Sequence, residues 1–199
     1  MKKFVILGCA GYIAKKHFEA IYNNNGGVIA ASDLSSNVGF LDKYSKGIIF
    51  LNAKDDVVDF IKKNKKKIDY IVICLPNYLH FKYIELAIKN KIKIICEKPL
   101  VSNLNQLNKL LKYQNIDKYL NCIMQLRYSP FINLIKRNIN ECQNLKINYI
   151  TPRGYWYNKT WKSNFKQSGG LLLNIGIHLF DFMINILGKD YKILKVNLF

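Results

Sequence analysis

Residues Phe4–Asp33 read F-V-I-L-G-C-A-G-Y-I-A-K-K-H-F-E-A-I-Y-N-N-N-G-G-V-I-A-A-S-D. The apolar run Phe4–Leu7 predicts a short strand, and Gly8–Ala14 a glycine turn. The helix that follows sets Ile13, His17, Ala20 and Ile21 on one face and ends at Asn23–Gly27. Val28–Ser32 predicts a second strand leading into Asp33. Strand, glycine turn, helix, strand and acid is the order a dinucleotide site requires. Glycines let the backbone approach a pyrophosphate, and the helix N-terminus offers it free N–H groups. Asp33 follows Gly11 by 22 residues, where a carboxylate meets the adenine ribose hydroxyls. Its charge repels a 2′-phosphate, so the spacing favours NAD over NADP. The glycines run G-x-x-G-x-x-A rather than G-x-G-x-x-G. An ordinary strand–helix turn with Asp33 as a helix cap fits the same letters.

Downstream, strands and helices alternate. Asn37–Tyr44 predicts a short helix, Ile48–Leu51 a strand, and Asp55–Asn64 a helix with Val57, Val58 and Ile61 inward. Tyr70–Leu75 (Y-I-V-I-C-L) is the most strand-like run and ends in P-N-Y-L-H, Pro76–His80. A helix to Asn90 follows, with Tyr83, Ile84, Ala87 and Ile88 inward. Lys93–Leu100, K-I-I-C-E-K-P-L, is an apolar strand that runs straight into Glu97 and Lys98 before a proline stops it. Continuous apolar runs are expected of parallel strands covered on both faces. Ligands collect outside the carboxyl ends of such strands. Opposite charges there suit proton-transfer work, and a surface ion pair in a tight turn fits the residues equally. A helix over Leu104–Tyr113 and a strand over Asn121–Gln125 complete a doubly wound parallel sheet. His80, at a helix start behind a strand tip, reads as a cap or core histidine.

From Arg127 the pattern changes. R-Y-S-P-F-I-N-L-I-K-R predicts a helix entered through Pro130. Leu145–Thr151, Gly154–Tyr157 and Lys192–Phe199 predict strands. Aromatics and cations crowd Arg153–Lys162, which suits stacking on bases or sugars and pairing with phosphate or carboxylate, and equally a strand pair with an amphipathic edge. Gly169–Leu187, G-G-L-L-L-N-I-G-I-H-L-F-D-F-M-I-N-I-L, is apolar on nearly every side and predicts a buried helix. Asn174, His178 and Asp181 form one polar stripe along it. Unpartnered burial would cost roughly 2–7 kcal/mol per group, so the stripe needs partners or a task.

The totals bound the rest. The chain has 199 residues, half of them apolar, enough for one large domain, or for one complete domain and a short second one. Its formal net charge of +18 raises the question of nucleic acid. The lysines are spread along the chain, however, and Lys62–Lys67 complements a helix C-terminus. No nucleic-acid partner is therefore expected. Cys9, Cys74, Cys96, Cys122 and Cys142 show no metal spacing and read as free thiols in a reducing cytosol. The start, M-K-K-F-V-I-L-G-C, imitates a lipoprotein signal, but its apolar core is too short. No stretch reads as long enough to span a membrane, so a soluble, cytoplasmic protein without a membrane partner is expected.

Four segments occur in order: G-C-A-G-Y-I-A-x-x-H, P-N-Y-L-H, C-E-K-P-L and G-G-x-x-x-N-I-G-I-H-x-x-D. Together they resemble the Gfo/Idh/MocA oxidoreductases across the whole chain. P-N-Y-L-H and T-x-R-G-x-W-Y-x-x-x-W-K are most similar to the UDP-N-acetylglucosaminuronate 3-dehydrogenase branch, which acts in surface-polysaccharide (O-antigen) biosynthesis. The resemblance implies an NAD-binding Rossmann domain over 1–122. It implies a partial α+β domain over 123–199, with an open, mainly antiparallel sheet that covers the nicotinamide and often mediates homo-oligomers.

It also implies site roles. Gly8, Gly11, Tyr12 and Ile13 would hold the pyrophosphate, Asp33 the adenine ribose, Asn77 and His80 the middle of the cofactor, and Glu97 the nicotinamide ribose. Gln125 and Trp161 would lie near the nicotinamide, as would Lys98. Arg153, Tyr155 and Tyr157 would lie near the sugar nucleotide. Lys98 and His178 would flank the reacting carbinol beside Asn174, which stands where many members carry aspartate. The implied activity is hydride transfer to NAD from C3 of a UDP-linked N-acetylhexosaminuronate. His178 would be the base and Lys98, held by Glu97, would stabilise the alkoxide; the reverse assignment is open. Oxidation of a free sugar or cyclitol, or a non-catalytic NAD-binding protein, are the alternatives. Family members run well beyond 199 residues.

Overall fold

The computed structural model describes residues 1–52, 56–139, 145–188 and 192–196. The chain divides into two compact units, Met1–Cys122 and Ile123–Phe199.

The first unit is one six-stranded, wholly parallel sheet. Its strands are β1 (Lys3–Leu7), β2 (Gly27–Asp33), β3 (Ile49–Asn52), β4 (Tyr70–Ile73), β5 (Lys93–Cys96) and β6 (Leu120–Cys122), in the spatial order β3-β2-β1-β4-β5-β6. Period-two alternation splits each strand between two buried layers. Val5, Leu7, Ala30, Ile71, Ile73 and Ile94 face one layer, with Val57, Ile61 and Ile84 from the helices. Ile6, Ala31 and Val72 face the other, packed on Phe18 and Ile21. Both faces are covered, which is why these strands read as unbroken apolar runs.

Helix α1 (Ala14–Asn23) follows β1, α2 (Asp56–Asn64) follows β3, α3 (Asn77–Lys89) follows β4 and α4 (Leu104–Leu111) follows β5. Each lies within a residue or two of its predicted span. The segment before β3 is a 3₁₀ turn, Gly39–Lys43. β4 and β6 are shorter than predicted, ending at Ile73 and Cys122.

Register determines what the sheet presents at its carboxyl edge. Leu7 pairs with Ser32 and with Ile73, and Ile73 pairs with Cys96. The residues that follow on β1, β2, β4 and β5 are Gly8, Asp33, Cys74 and Glu97, which therefore line up side by side. The chain crosses from β3 back to β4 beyond β1, so this edge includes the point where strand order reverses.

Four described cysteines are free: Cys9, Cys74, Cys96 and Cys122. Burial, reinforced by the Asp33 charge, pushes the Cys9 thiol up to about 12. Burial likewise raises Cys74 and Cys96. These are packing thiols rather than nucleophiles. Cys142 lies outside the described residues.

The second unit departs from expectation. Residues 145–151 and 192–196 are irregular, and Tyr155–Lys159 forms a 3₁₀ turn. Among the described residues of this unit no strand forms, so the open antiparallel sheet expected there is not seen; 197–199 lie outside them. Alternation makes a segment capable of pairing, but a strand exists only once another strand takes up its N–H and C=O groups.

The unit consists of α5 (Phe131–Asn138), entered at Pro130 as predicted, α6 (Phe165–Ser168), and a helical run ending in α7 (Ile177–Leu187). That run is less buried than its composition suggests: Leu171, Leu172 and Ile184 are exposed. Phe165–Leu187 is, by length and composition, long and apolar enough to cross a membrane, contrary to the sequence-based expectation. A core helix of a folded domain passes the same test, and this one carries Asn174, His178 and Asp181.

Candidate active site

Building the carboxyl edge starts at Gly8. Its φ is +82°, and a Cβ there would lie 2.7 Å from the Cys74 carbonyl oxygen. Only glycine lets β1 turn this close to β4. The Gly8 and Cys9 N–H groups both donate to the Ser32 carbonyl, at 2.7 and 3.0 Å. Gly11 N–H donates back to the Gly8 carbonyl at 3.2 Å, closing the turn.

Asp33 holds the turn from the other side. Its Oδ2 accepts from Ala10 N–H and its Oδ1 from Ser35 N–H, each at 2.9 Å. The carboxylate therefore caps a loop rather than a helix, and it sits beside the glycine turn. Helix α1 opens after Ile13 with no side-chain cap on its first N–H groups. Uncapped amides at a glycine turn, with a carboxylate at the next strand tip, fit the pyrophosphate and adenine ribose of a dinucleotide. Tyr12 is 83% exposed at the rim.

Glu97 lies at the tip of β5. Its N–H donates to the Ile73 carbonyl at 3.0 Å, which fixes its backbone on the β4 side. Its side chain reaches α1, where Oε1 lies 2.9 Å from His17 Nε2. The sequence suggests Lys98 as the partner of Glu97 and reads His17 as an inward helix residue; the structure brings His17 to the Glu97 carboxylate. Lys98 follows at half-buried depth, before Pro99.

Asn77 and His80 are buried at the start of α3. His80 Nδ1 lies 2.7 Å from the Pro99 carbonyl oxygen and Nε2 lies 2.6 Å from that of Leu75. The imidazole thus bridges the loops after β4 and β5. It stands in the core, as the bare residues suggest. Burial pushes its pKa below the ordinary 6.5, opposed by the two carbonyls and Glu97.

With its folded pKa depressed, His80 contributes stability that is complete above about 6.5 and is lost as pH falls through the folded value. His80→Ala is expected to destabilise the chain by about 2–4 kcal/mol, through a cavity and an unpaired carbonyl. Urea melts check this; a change within about 0.5 kcal/mol, the range of a neutral surface substitution, would contradict the bridging role.

In the second unit, the helical run passes through a wide π-type turn, Leu172–Gly176, before α7. Asn174 sits in that turn and is buried, and His178 follows one turn later, half-buried. Wide turns of this kind re-aim side chains and recur at functional sites. Asp181, the third member of the polar stripe, has a structural partner. Arg127 Nε lies 3.0 Å from its Oδ1 and 2.9 Å from its Oδ2, tying the turn Gln125–Tyr128 to α7.

Gln125 is exposed in that same turn, and Trp161 is half-buried. The Arg153 guanidinium stacks 5.5 Å from the Tyr157 ring centre, while Tyr155 projects into solvent. Arg153 and Tyr157 are thus brought together. Among the described residues no cluster of acidic, histidine or cysteine side chains could hold a metal ion.

Known proteins resemble this chain over both units. The profile of the oxidoreductase family with NAD-binding Rossmann fold, Gfo/Idh/MocA, matches residues 2–120. That of the family's C-terminal alpha/beta domain matches residues 133–195. Glucose-6-phosphate 3-dehydrogenase of Bacillus subtilis is 26% identical over 203 residues, covering 96% of this chain and 55% of the relative. The WlbA (WbpB) dehydrogenase of Thermus thermophilus, solved with NAD and alpha-ketoglutarate, is 30% identical with a TM-score of 0.82. That match covers 94% of this chain and 62% of the other. The same enzyme solved with NAD and UDP-GlcNAcA gives 31% and 0.81, over 92% and 62%. The chain spans a little over half the length of these relatives.

Proposed function

Because the chain belongs to the Gfo/Idh/MocA oxidoreductase family, whose NAD-binding Rossmann fold occupies residues 2–120, we propose that it oxidises a sugar carbinol with NAD. The carbinol is C3 of a UDP-linked N-acetylhexosaminuronate, in the making of surface-polysaccharide sugars. One observation carries the reading: sheet register brings Gly8, Asp33 and Glu97 to one carboxyl edge, with Lys98 directly after. Along that edge lie, in order, what an adenine ribose, a pyrophosphate, a nicotinamide ribose and an alkoxide each need.

NAD, when bound, supplies the acceptor for the hydride that leaves the carbinol carbon. The chain's own residues do the rest. Gly8 and Gly11 keep the turn bare, and with Tyr12 and Ile13 they hold the pyrophosphate at the start of α1. Asp33 selects a free 2′-hydroxyl. Asn77 orients the middle of the cofactor, and His80 acts there by holding the Leu75 and Pro99 loops. Glu97 receives the nicotinamide ribose. Gln125 and Trp161 border the nicotinamide.

His178 takes the hydroxyl proton as general base. Lys98 stabilises the developing negative oxygen electrostatically. Asn174, one turn before His178, orients the substrate by hydrogen bonding, since it cannot act as a carboxylate. Arg153, Tyr155 and Tyr157 offer a cation and aromatic faces for a charged sugar nucleotide. The protein works in the cytoplasm, and it assembles as a homo-oligomer if its second sheet is complete enough, which native mass checks.

The test is reduction of NAD⁺ followed by absorbance, with UDP-N-acetylglucosaminuronate, myo-inositol and glucose 6-phosphate offered separately. Turnover with the UDP-sugar alone is expected. Turnover with either free compound alone would overturn the substrate class, and none with any would leave an NAD-binding protein without this chemistry.

Asp33→Asn should weaken NAD⁺ binding about tenfold and narrow the gap to NADP⁺ by a similar factor, since one charge-assisted bond to ribose is lost and the repulsion of a 2′-phosphate removed. Titration of the two dinucleotides measures both. Undiminished preference for NAD⁺ would remove Asp33 from the ribose site.

A further inference from the structure

We propose that His17 is a positioning residue for Glu97, setting how the nicotinamide half of the cofactor is held. The inference rests on the reading above that Glu97 binds the nicotinamide ribose. The two residues are 80 positions apart and meet across the site, one on the first turn of the pyrophosphate helix α1 and the other at the tip of β5. Their side chains are only 13% and 10% exposed, and Nε2 stands 2.9 Å from Oε1.

A free glutamate at a strand tip samples several rotamers, and ordering it costs binding energy. Here the backbone of Glu97 is already fixed by its N–H bond to Ile73. The imidazole fixes the far end. With Oε1 engaged by His17, Oε2 is the oxygen a ribose hydroxyl would meet. The same bond ties α1, which serves the pyrophosphate, to β5, which serves the nicotinamide ribose, so the two half-sites keep their spacing. Sequence periodicity could not find this pair: the histidine was visible in G-C-A-G-Y-I-A-x-x-H, but nothing local named its partner.

A purely structural contact predicts something different. It would weaken every ligand and the fold together. ADP carries the adenine, ribose and pyrophosphate but no nicotinamide ribose, so comparing ADP with NAD⁺ separates the two roles. The experiment is calorimetric titration of the 199-residue chain and its variants with each ligand.

His17→Phe is expected to weaken NAD⁺ about tenfold, the worth of one hydrogen bond to a charged group, with ADP within about twofold. His17→Gln, which restores a donor, should recover most of that loss. In a Glu97→Ala background His17→Phe should add nothing further, since the partner it orients is gone. ADP binding reports that each variant is folded, and His17→Gln keeps the test open if the phenylalanine disturbs packing.

Equal loss of ADP and NAD⁺ in His17→Phe, or loss of neither, overturns the inference. Glu97→Ala selective against NAD⁺ while His17→Phe is inert overturns the inference alone. Glu97→Ala without effect on NAD⁺ overturns the reading of Glu97 and the inference with it.

Discussion

His178→Asn is expected to lower turnover by about 10²–10⁴-fold while NAD⁺ titrates as in the unaltered chain, because general-base catalysis is worth that much and an asparagine amide is not basic enough to accept a proton near neutral pH. Asparagine keeps the polarity of the site and much of its volume, so the substitution removes basicity with little repacking. His178 lies half-buried one turn after the wide π-type turn that carries Asn174, on a helix anchored by the Arg127–Asp181 pair. The helix is thus held independently of His178, and loss of its imidazole should not loosen it. Single-turnover reduction of NAD⁺ separates the chemical step from product release. A variant as fast as the unaltered chain would remove His178 from proton transfer and return the role to Lys98.

Gly8→Ala should destabilise the first unit by roughly 3 kcal/mol or more and abolish NAD⁺ binding at concentrations that saturate the unaltered chain. Two costs combine. An alanine is strained at φ +82°, and its Cβ would meet the Cys74 carbonyl oxygen at 2.7 Å and the Leu75 nitrogen at 3.0 Å, both backbone atoms that cannot swing aside. Relief requires β1 and β4 to separate at their tips, which pulls apart the edge where Gly8, Asp33 and Glu97 align. Urea denaturation with parallel NAD⁺ titration reads both effects. Unchanged stability would mean that the tips of β1 and β4 are not this close in solution.

The first unit was legible because its physics is local and repeated. Val5–Leu7 and Ile71–Ile73 are buried on both faces, and Ile94 and Cys96 on one with Ile95 half-buried on the other; a chain needs unbroken apolar letters to do that. Gly8, with Asp33 one strand away, marks the turn in sequence for the same steric reason that shapes it in space. What sequence could not show was pairing across distance. Glu97 faces His17, and Asp181 faces Arg127, partners 80 and 54 residues away. His80 was readable as a core residue, but not that it would bridge the Leu75 and Pro99 carbonyls.

The second unit was less legible because its elements depend on partners rather than on their own letters. Alternation at 192–196 and over 145–151 permits a strand without supplying a neighbour to pair with. An all-round apolar helix over 169–187 implies a full set of covering layers. Leu171, Leu172 and Ile184 remain exposed in the structure described, so the helix has the composition of a core element without being enclosed as one.

The most direct measurement offers the chain NAD⁺ and a UDP-N-acetylglucosaminuronate deuterated at C3, then weighs the reduced dinucleotide by mass spectrometry. If C3 is the carbon oxidised, the deuterium leaves with its electron pair and the reduced cofactor gains it. Reduced dinucleotide without deuterium would contradict oxidation at C3, and no reduction at all would contradict the dehydrogenase itself.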